Sequence, residues 1–322
     1  MLRGKSLVEL TPGRQGSAYS ESRVADLSAM PGCADCLSVC AAAGRPGLAV
    51  CTIAAGAKVR SDGTRGSRAY VYVYDVGRRK LSPLTSFTPQ GFRSEGDASL
   101  YARLRSAVTG EGLPIFNWPA PASEGMAGAV VVEGGRRGPP KQRDVGDRGV
   151  LPPRVLTDFS AAPTFSPDGA SLAVGTARRV ALVQRTSRRV SYLRASGAYV
   201  YDLAFSPDGR RVAWAGDTSP PGPPDQEWAP DVNAVGVLTL KPQGSVVRRL
   251  SRVKGLPKRW TIASQSSSHM ALSGDGETVF LLADAGGESG SEYSLGRADM
   301  RRGTCQAIAD GVQDFALVGS PA

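Results

Sequence analysis

The sequence predicts an all-β protein, a β-propeller of four-stranded blades, about five to seven in number. An internal repeat carries the prediction: residues 165–169 read FSPDG, residues 205–209 repeat it, and residues 272–276 read LSGDG. A short apolar strand follows each copy, as SLAVGT, RRVAWAG and ETVFLLAD. Further strands and polar breaks complete units of roughly 40 residues, which is the size of one propeller blade.

The repeated motif has the chemistry of a tight turn between two strands. Pro fixes φ at the first turn position, Asp accepts hydrogen bonds from nearby backbone N–H groups, and Gly tolerates a positive φ. Because apolar strands flank the motif on both sides, each copy predicts a β-hairpin.

The units are expected near residues 23–86, 87–157, 158–194, 195–251 and 252–310, within one domain covering 23–318. Residues 1–22 are interpreted as an N-terminal tail. The terminal GVQDFALVG of residues 311–319 could close the ring as an extra strand or begin another blade.

Three segments interrupt the pattern, near residues 87–118, 132–153 and 216–231. In the first, Leu100, Leu104 and Val108 recur every four residues, Asp97 could cap the start and Gly110 could end it, which predicts one short helix. The other two are rich in Pro and Gly and are expected to be loops.

The third of these segments carries the predicted partner-binding residues, Asp225, Glu227 and Trp228. A loop aromatic held by a rigid scaffold can anchor a binding partner, although Trp228 could instead fold back onto the blade rim.

The charge balance is basic, with 39 Lys and Arg against 29 Asp and Glu and a formal net charge of +10. The Arg residues are dispersed, mostly as pairs beside predicted turns. We interpret them as solvated turn residues that also protect strand edges. A polyanion-binding face remains the alternative, and nucleic acid is not the expected partner.

The segments FSPDGASLAVGT, LAFSPDGRRVAWAG and VYVYDVGRRKLSPLT resemble the propeller repeats of TolB-type proteins, with WD-repeat propellers as near relatives. Such repeats also form the N-terminal domain of prolyl-oligopeptidase-type enzymes. The chain has no Trp-Asp dipeptide and no Gly-His signature, which favours the TolB-like type. The resemblance implies a fold and leaves the function open.

Cys33, Cys36, Cys40 and Cys51 form a C-x2-C-x3-C-x10-C cluster. Four thiolates could hold zinc or an Fe–S cluster, and Cys33 with Cys36 could form a redox pair. However, strand alternation would put Cys36 and Cys40 on one face as small core residues, so we expect free thiols, no metal and no cofactor.

Catalytic signatures are weak. The chain has no G-x-S-x-G motif, and its single histidine, His269, is interpreted as a structural residue. Asp168, Asp208 and Asp275 recur at the turns, where local hydrogen bonding explains them, although a shared metal site at the channel mouth is conceivable.

The sequence therefore favours a non-enzymatic platform that binds a protein or peptide. The alternatives are an accessory or gating propeller of a prolyl-oligopeptidase-like hydrolase, or a small-molecule hydrolase acting at the channel mouth. No membrane-spanning run and no secretory signal is visible, and the odd cysteine count suits a reducing compartment, so a cytoplasmic location is expected.

Overall fold

The computed structural model consists of short antiparallel strands arranged in successive small sheets. It describes these residues: 1–3, 6–12, 19–30, 35–41, 47–59, 65–87, 105–108, 114–119, 129–133, 141–144, 155, 159–176, 179–195, 199–217, 234–241, 244–250, 261–262, 270–284 and 293–318. Within them, Leu27–Ala29 forms a 3-10 turn.

The described strands form six sheets, numbered I to VI in chain order. Sheets I and II contain β1 (Leu2–Arg3), β2 (Ser6–Pro12) and β3 (Tyr19–Asp26), then β4 (Asp35–Ala41), β5 (Leu48–Val59), β6 (Arg65–Asp75) and β7 (Lys80–Phe87). Sheets III and IV contain β8 (Arg105–Val108), β9 (Pro114–Pro119), β10 (Ala129–Glu133) and β11 (Lys141–Asp144), then β12 (Phe159–Phe165), β13 (Ser171–Thr176), β14 (Arg179–Gln184) and β15 (Val190–Arg194). Sheets V and VI contain β16 (Tyr199–Phe205), β17 (Arg211–Asp217), β18 (Ala234–Lys241) and β19 (Gly244–Leu250), then β20 (Thr261–Ile262), β21 (Met270–Leu272), β22 (Thr278–Asp284), β23 (Tyr293–Asp299) and β24 (Thr304–Val312).

Sheets II to V are four-stranded antiparallel meanders in which consecutive strands pair in chain order. Sheet VI follows the same order, with β20 and β21 both pairing with β22. Successive sheets contact each other through their first strands, β12 against β16 and β16 against β21. Repeated meanders packed through their first strands are the blades of a β-propeller.

Apolar residues from neighbouring sheets form the cores between blades. The core between sheets IV and V includes Ala173, Leu203 and Leu238, each fully buried, and the indole of Trp214. Burying a leucine side chain stabilises the fold by about 1.5–3 kcal/mol, so these contacts hold each blade against the next. The core between sheets V and VI includes Leu281.

Sheet I packs against both sheet VI and sheet II. Val8 belongs to one core with Leu282, Leu295 and Phe315, which joins sheet I to sheet VI. Leu7 belongs to a second core with residues of sheet II, including Tyr72 and Tyr74, as well as Val318 of the terminal segment.

Two expectations are corrected. The C-terminal part of the helix predicted from Leu100, Leu104 and Val108 is strand β8, which pairs with β9. Pairing with a distant strand outweighs local helical spacing here, because intrinsic propensity is a weak determinant. Residues 97–104 lie outside the described part of the chain.

The second correction concerns the cysteines. A register shift between Cys36 and Ser38 interrupts the strict alternation expected along β4. Beyond the shift, Val39 pairs with Cys51 and Cys40 pairs with Val50. A β-bulge adds one residue to one strand, so a face assignment counted in steps of two fails across it.

The range 1–22, interpreted from the sequence as a tail, contains strands β1 and β2 and the start of β3.

Candidate functional site

The three repeated turns have the same hydrogen-bonded geometry. In residues 166–171, the Ser166 hydroxyl donates to Asp168 Oδ1 at 2.5 Å and accepts from the Ser171 N–H at 2.9 Å. The same Asp168 oxygen accepts the Ala170 N–H at 3.0 Å. The turns beginning at Ser206 and Ser273 repeat every one of these bonds.

These bonds set the charge state of the turn carboxylates. The Ser166 hydroxyl and then the Ala170 N–H hold the pKa of Asp168 below its usual range. Ser273 and Glu277 do the same for the pKa of Asp275. For Asp208, partial burial raises the pKa, but bonds from Ser206 and Arg210 outweigh it and the pKa is lowered. All three are therefore carboxylates at neutral pH, and local bonding accounts for their recurrence.

The turns of sheets IV, V and VI lie side by side at one end of these sheets. A Cβ built on Gly209 would lie 3.3 Å from Cδ of Pro167, in the turn of the preceding sheet. Arg211 donates from Nη1 to the carbonyl of Gly274 at 3.0 Å, in the turn of the following sheet. We call this surface the turn end.

The loops between the third and fourth strands of sheets IV and VI lie at the same end. We call loops of this kind the outer loops, and we call the repeated turns at 166–171, 206–211 and 273–278 the inner turns. The Arg185 N–H donates to the Ala170 carbonyl, and the Met300 N–H donates to the Glu277 carbonyl. Arg301 also lies 3.9 Å from the Glu277 carboxylate. Each inner turn is thus joined to an outer loop of its own sheet.

The outer loops 75–80, 184–189 and 299–304 have equivalent geometry and carry Arg pairs. One position in each has a positive φ, occupied by Arg79 (50°), Arg188 (57°) and Gly303 (68°). Arg79 and Arg188 are the two non-glycine residues with positive φ in the described part of the chain. A left-handed conformation costs a non-glycine residue roughly 1–2 kcal/mol, so these arginines occupy sites that favour glycine.

The opposite end of sheet V carries the segment in which partner binding was predicted. Strand β17 ends at Asp217 and β18 begins at Ala234, and Gly216 pairs directly with Ala234. The turn at 206–211 lies at the other end of β17, about 20 Å away at the usual rise of a strand. We call the surface near Asp217 and Ala234 the loop end.

Several predicted residues lie outside the described part of the chain: Asp225, Glu227, Trp228, His269 and Cys33. Cys36, Cys40 and Cys51 lie in β4 and β5. Cys305 is a buried free thiol, and burial raises its pKa to about 11, so it stays protonated at neutral pH. Among the described residues, no group of three or more His, Cys, Asp or Glu side chains could hold a metal ion.

No helix long and apolar enough to cross a membrane occurs in the residues that the structure describes. Sequence reasoning found the inner turns from their FSPDG motif. It missed the strained conformation of the outer arginines, because the Arg-Arg pairs have no turn motif that marks a positive φ.

Comparison with known proteins gives no match to a protein-family model and none to a curated protein. Among solved structures, the chain is similar to a TolB structure from Agrobacterium tumefaciens, with 14% identity, a TM-score of 0.48, and coverage of 95% of this chain and 89% of that one. It is also similar to TolB from Acinetobacter baumannii, with 15% identity, a TM-score of 0.37, and coverage of 80% and 69%. Both are structures of the family that the sequence repeats resemble. With both TM-scores below 0.5, the β-propeller fold rests on the chain's own strand order and sheet packing.

Proposed function

We propose that this chain is a non-enzymatic, six-bladed β-propeller that serves as a binding platform for a protein or peptide. Sheets I to VI would be the six blades. The main support is the frame: hydrogen-bonded turns and buried cores between sheets hold the strand ends from which the connecting segments leave. Loops on such a scaffold are common sites of recognition.

The proposal includes closure of the ring by residues 313–318 as the inner strand of sheet I. The sequence VQDFA of residues 312–316 is similar to VYDLA in β16, and in both the Asp accepts the N–H of the next residue at 2.8 Å. Asp314 also accepts the Val39 N–H at 2.9 Å, which links this segment to sheet II.

Partner binding is proposed at the loop end, through the segment 216–231 with Asp225, Glu227 and Trp228. Gly216 of β17 and Ala234 of β18, the two strands that this segment joins, pair directly with each other, so the blade itself can form with a shorter connection. An aromatic residue flanked by carboxylates suits a partner surface with an apolar pocket and nearby basic groups. A cytoplasmic location is part of the proposal.

The test is affinity capture from source extract with the intact chain, with residues 217–230 deleted, and with Trp228→Ala. Pro220→Ala in the same segment is the matched control. We expect one or more proteins to be retained by the intact chain and the control and to be lost with the deletion and with Trp228→Ala.

The deletion variant should keep the thermal unfolding midpoint of the intact chain, which separates binding from folding. Purified partner should then bind the intact chain directly. Retention of the partner by the deletion variant would refute the loop-end site. A small molecule released on denaturation, with no protein retained, would favour the hydrolase alternatives.

A further inference from the structure

We infer a second interaction surface at the turn end: the outer loops of sheets IV and VI form a basic rim that binds an acidic polypeptide segment. This rim consists of residues 184–189 and 299–304. It lies at the opposite end of the sheets from the strand ends at Asp217 and Ala234, and its function does not depend on the loop-end proposal.

The charges at the turn end are separated by position. The two outer loops contain five arginines against one acidic residue, Asp299, a net charge of 5 − 1 = +4. The three inner turns contain Arg210 and Arg211 against four acidic residues, a net charge of 2 − 4 = −2. The outer loops of sheets IV and VI are therefore positive and the inner turns negative, a separation that favours an anionic partner at the outer loops.

The rim arginines keep donors available for an incoming carboxylate. Arg188 and Arg189 are exposed, and the side chains of Arg301 and Arg302 are 77% and 81% exposed. The Arg301–Glu277 and Arg302–Asp299 ion pairs have N–O distances of 3.9 and 3.8 Å, which are too long for hydrogen bonds. A guanidinium has five N–H donors and can hold a carboxylate through two parallel bonds.

Backbone strain supports a binding role for Arg188. The equivalent position in sheet VI is Gly303, which adopts the same conformation without strain. Residues held in sparsely populated backbone conformations cluster at binding sites, and the Arg188 side chain is exposed, so it is a candidate contact for the acidic segment.

The inner row favours a polypeptide over a nucleic acid. An extended polypeptide occupies a width of about 4.8 Å, so it can follow the outer loops and leave the inner carboxylates uncovered. A nucleic-acid strand has one phosphate per roughly 3.4 Å, and the carboxylates of Asp168, Asp208 and Asp275 would repel this dense charge. The preferred ligand is a segment whose Asp and Glu residues are spaced to meet separate loops.

The test uses a fluorescein-labelled ten-residue peptide of alternating Glu and Ser, with binding measured by anisotropy at about 50 mM salt to limit screening. The test variant is Arg188→Gly with Arg302→Ser, which removes two charges from the rim. The control is Arg179→Ser with Arg194→Ser, which removes two charges from the other end of sheet IV.

We expect the rim variant to weaken peptide binding about 5-fold or more, since each exposed ion pair contributes up to several-fold in affinity. The control should stay within about 2-fold, because screened charges this far away contribute little. A single-stranded oligonucleotide of equal charge should bind more weakly than the peptide.

Three results would overturn the inference. They are no measurable peptide binding, equal losses in the rim variant and the control, or tighter binding of the oligonucleotide than of the peptide. Capture of a partner through Trp228 can succeed or fail independently of all three, because the two surfaces lie at opposite ends of the sheets.

Discussion

At Gly236 the packing leaves no room for a methyl group. A Cβ at this position would lie 2.4 Å from two atoms of the Trp214 indole, which is fully buried and cannot move aside. We expect Gly236→Ala to lower the free energy of unfolding by about 1–3 kcal/mol, the usual cost of overpacking a core. Urea denaturation of both proteins measures this difference.

The same contact can be tested by a double-mutant cycle with Trp214→Leu. A smaller side chain at 214 removes the clash, so the loss in the double mutant should be less than the sum of the two single losses. Additive losses would show that Gly236 and Trp214 do not meet in this way.

The turn carboxylates give stability a defined dependence on pH. Their folded-state pKa values are lowered, so folding favours the ionised form of Asp168, Asp208 and Asp275. This stabilisation is complete above the unfolded-state pKa of about 3.9 and is lost as the pH falls through the lower folded-state values.

We therefore expect the thermal unfolding midpoint to decrease as the pH is lowered below about 4. The decrease should be smaller in the double variant Asp168→Asn/Asp275→Asn. The amide oxygen of Asn can still accept the turn hydrogen bonds but does not titrate. An unchanged acid profile in the double variant would assign the pH dependence to other carboxyls.

At the scale of one hairpin, exchanging Arg and Gly at the positive-φ position of an outer loop should change stability in opposite directions, depending on which residue is replaced. Arg79→Gly and Arg188→Gly relieve a left-handed conformation, which offsets the entropy that glycine adds to the unfolded chain. We expect the free energy of unfolding to stay unchanged or to rise by up to about 1 kcal/mol.

The reverse change, Gly303→Arg, places a side chain at a φ of 68° and should cost about 1–2 kcal/mol. The thermal unfolding midpoints of Arg79→Gly, Arg188→Gly and Gly303→Arg compare this position in sheets II, IV and VI. If Arg188→Gly were strongly destabilising, the positive φ would not be a source of strain in this loop.

The inner hairpins were predictable from sequence because their turn chemistry is local. Ser166, Asp168 and Gly169 make their bonds within six residues, and the motif repeats, so the sequence alone identifies three strand pairs. The loops in which arginine takes the left-handed position have no such marker. Their geometry follows from the pairing of the flanking strands, which local sequence does not reveal.

Strand β8 and the register of β4 show the same limit. Arg105–Val108 lies in a segment with helical spacing and becomes a strand through pairing with β9. The shift between Cys36 and Ser38 depends on the partner strand β5. The predicted binding residues Asp225, Glu227 and Trp228 remain predictions, because they were chosen by residue type in a loop, and loop recognition depends on the partner.

At the scale of the whole molecule, the proposed ring closure would make one segment important to sheets far apart in the sequence. Phe315 is 3% exposed and packs with Val8, Leu282 and Leu295, while the neighbouring Asp314 accepts the Val39 N–H. If residues 313–318 complete sheet I, they connect sheets II and VI, and their loss should loosen both.

We expect Phe315→Ala to lower the free energy of unfolding by about 3–5 kcal/mol, as is usual for a buried phenylalanine. Native-state hydrogen exchange should become faster in β2, in β4 and in β22, because all three lie beside the closing segment. Strands β14 and β17 should keep relatively more protection, since their cores include no residue of that segment. Faster exchange confined to β22 and its neighbours in sheet VI would indicate an open ring, in which the terminal segment supports only the sheet that precedes it.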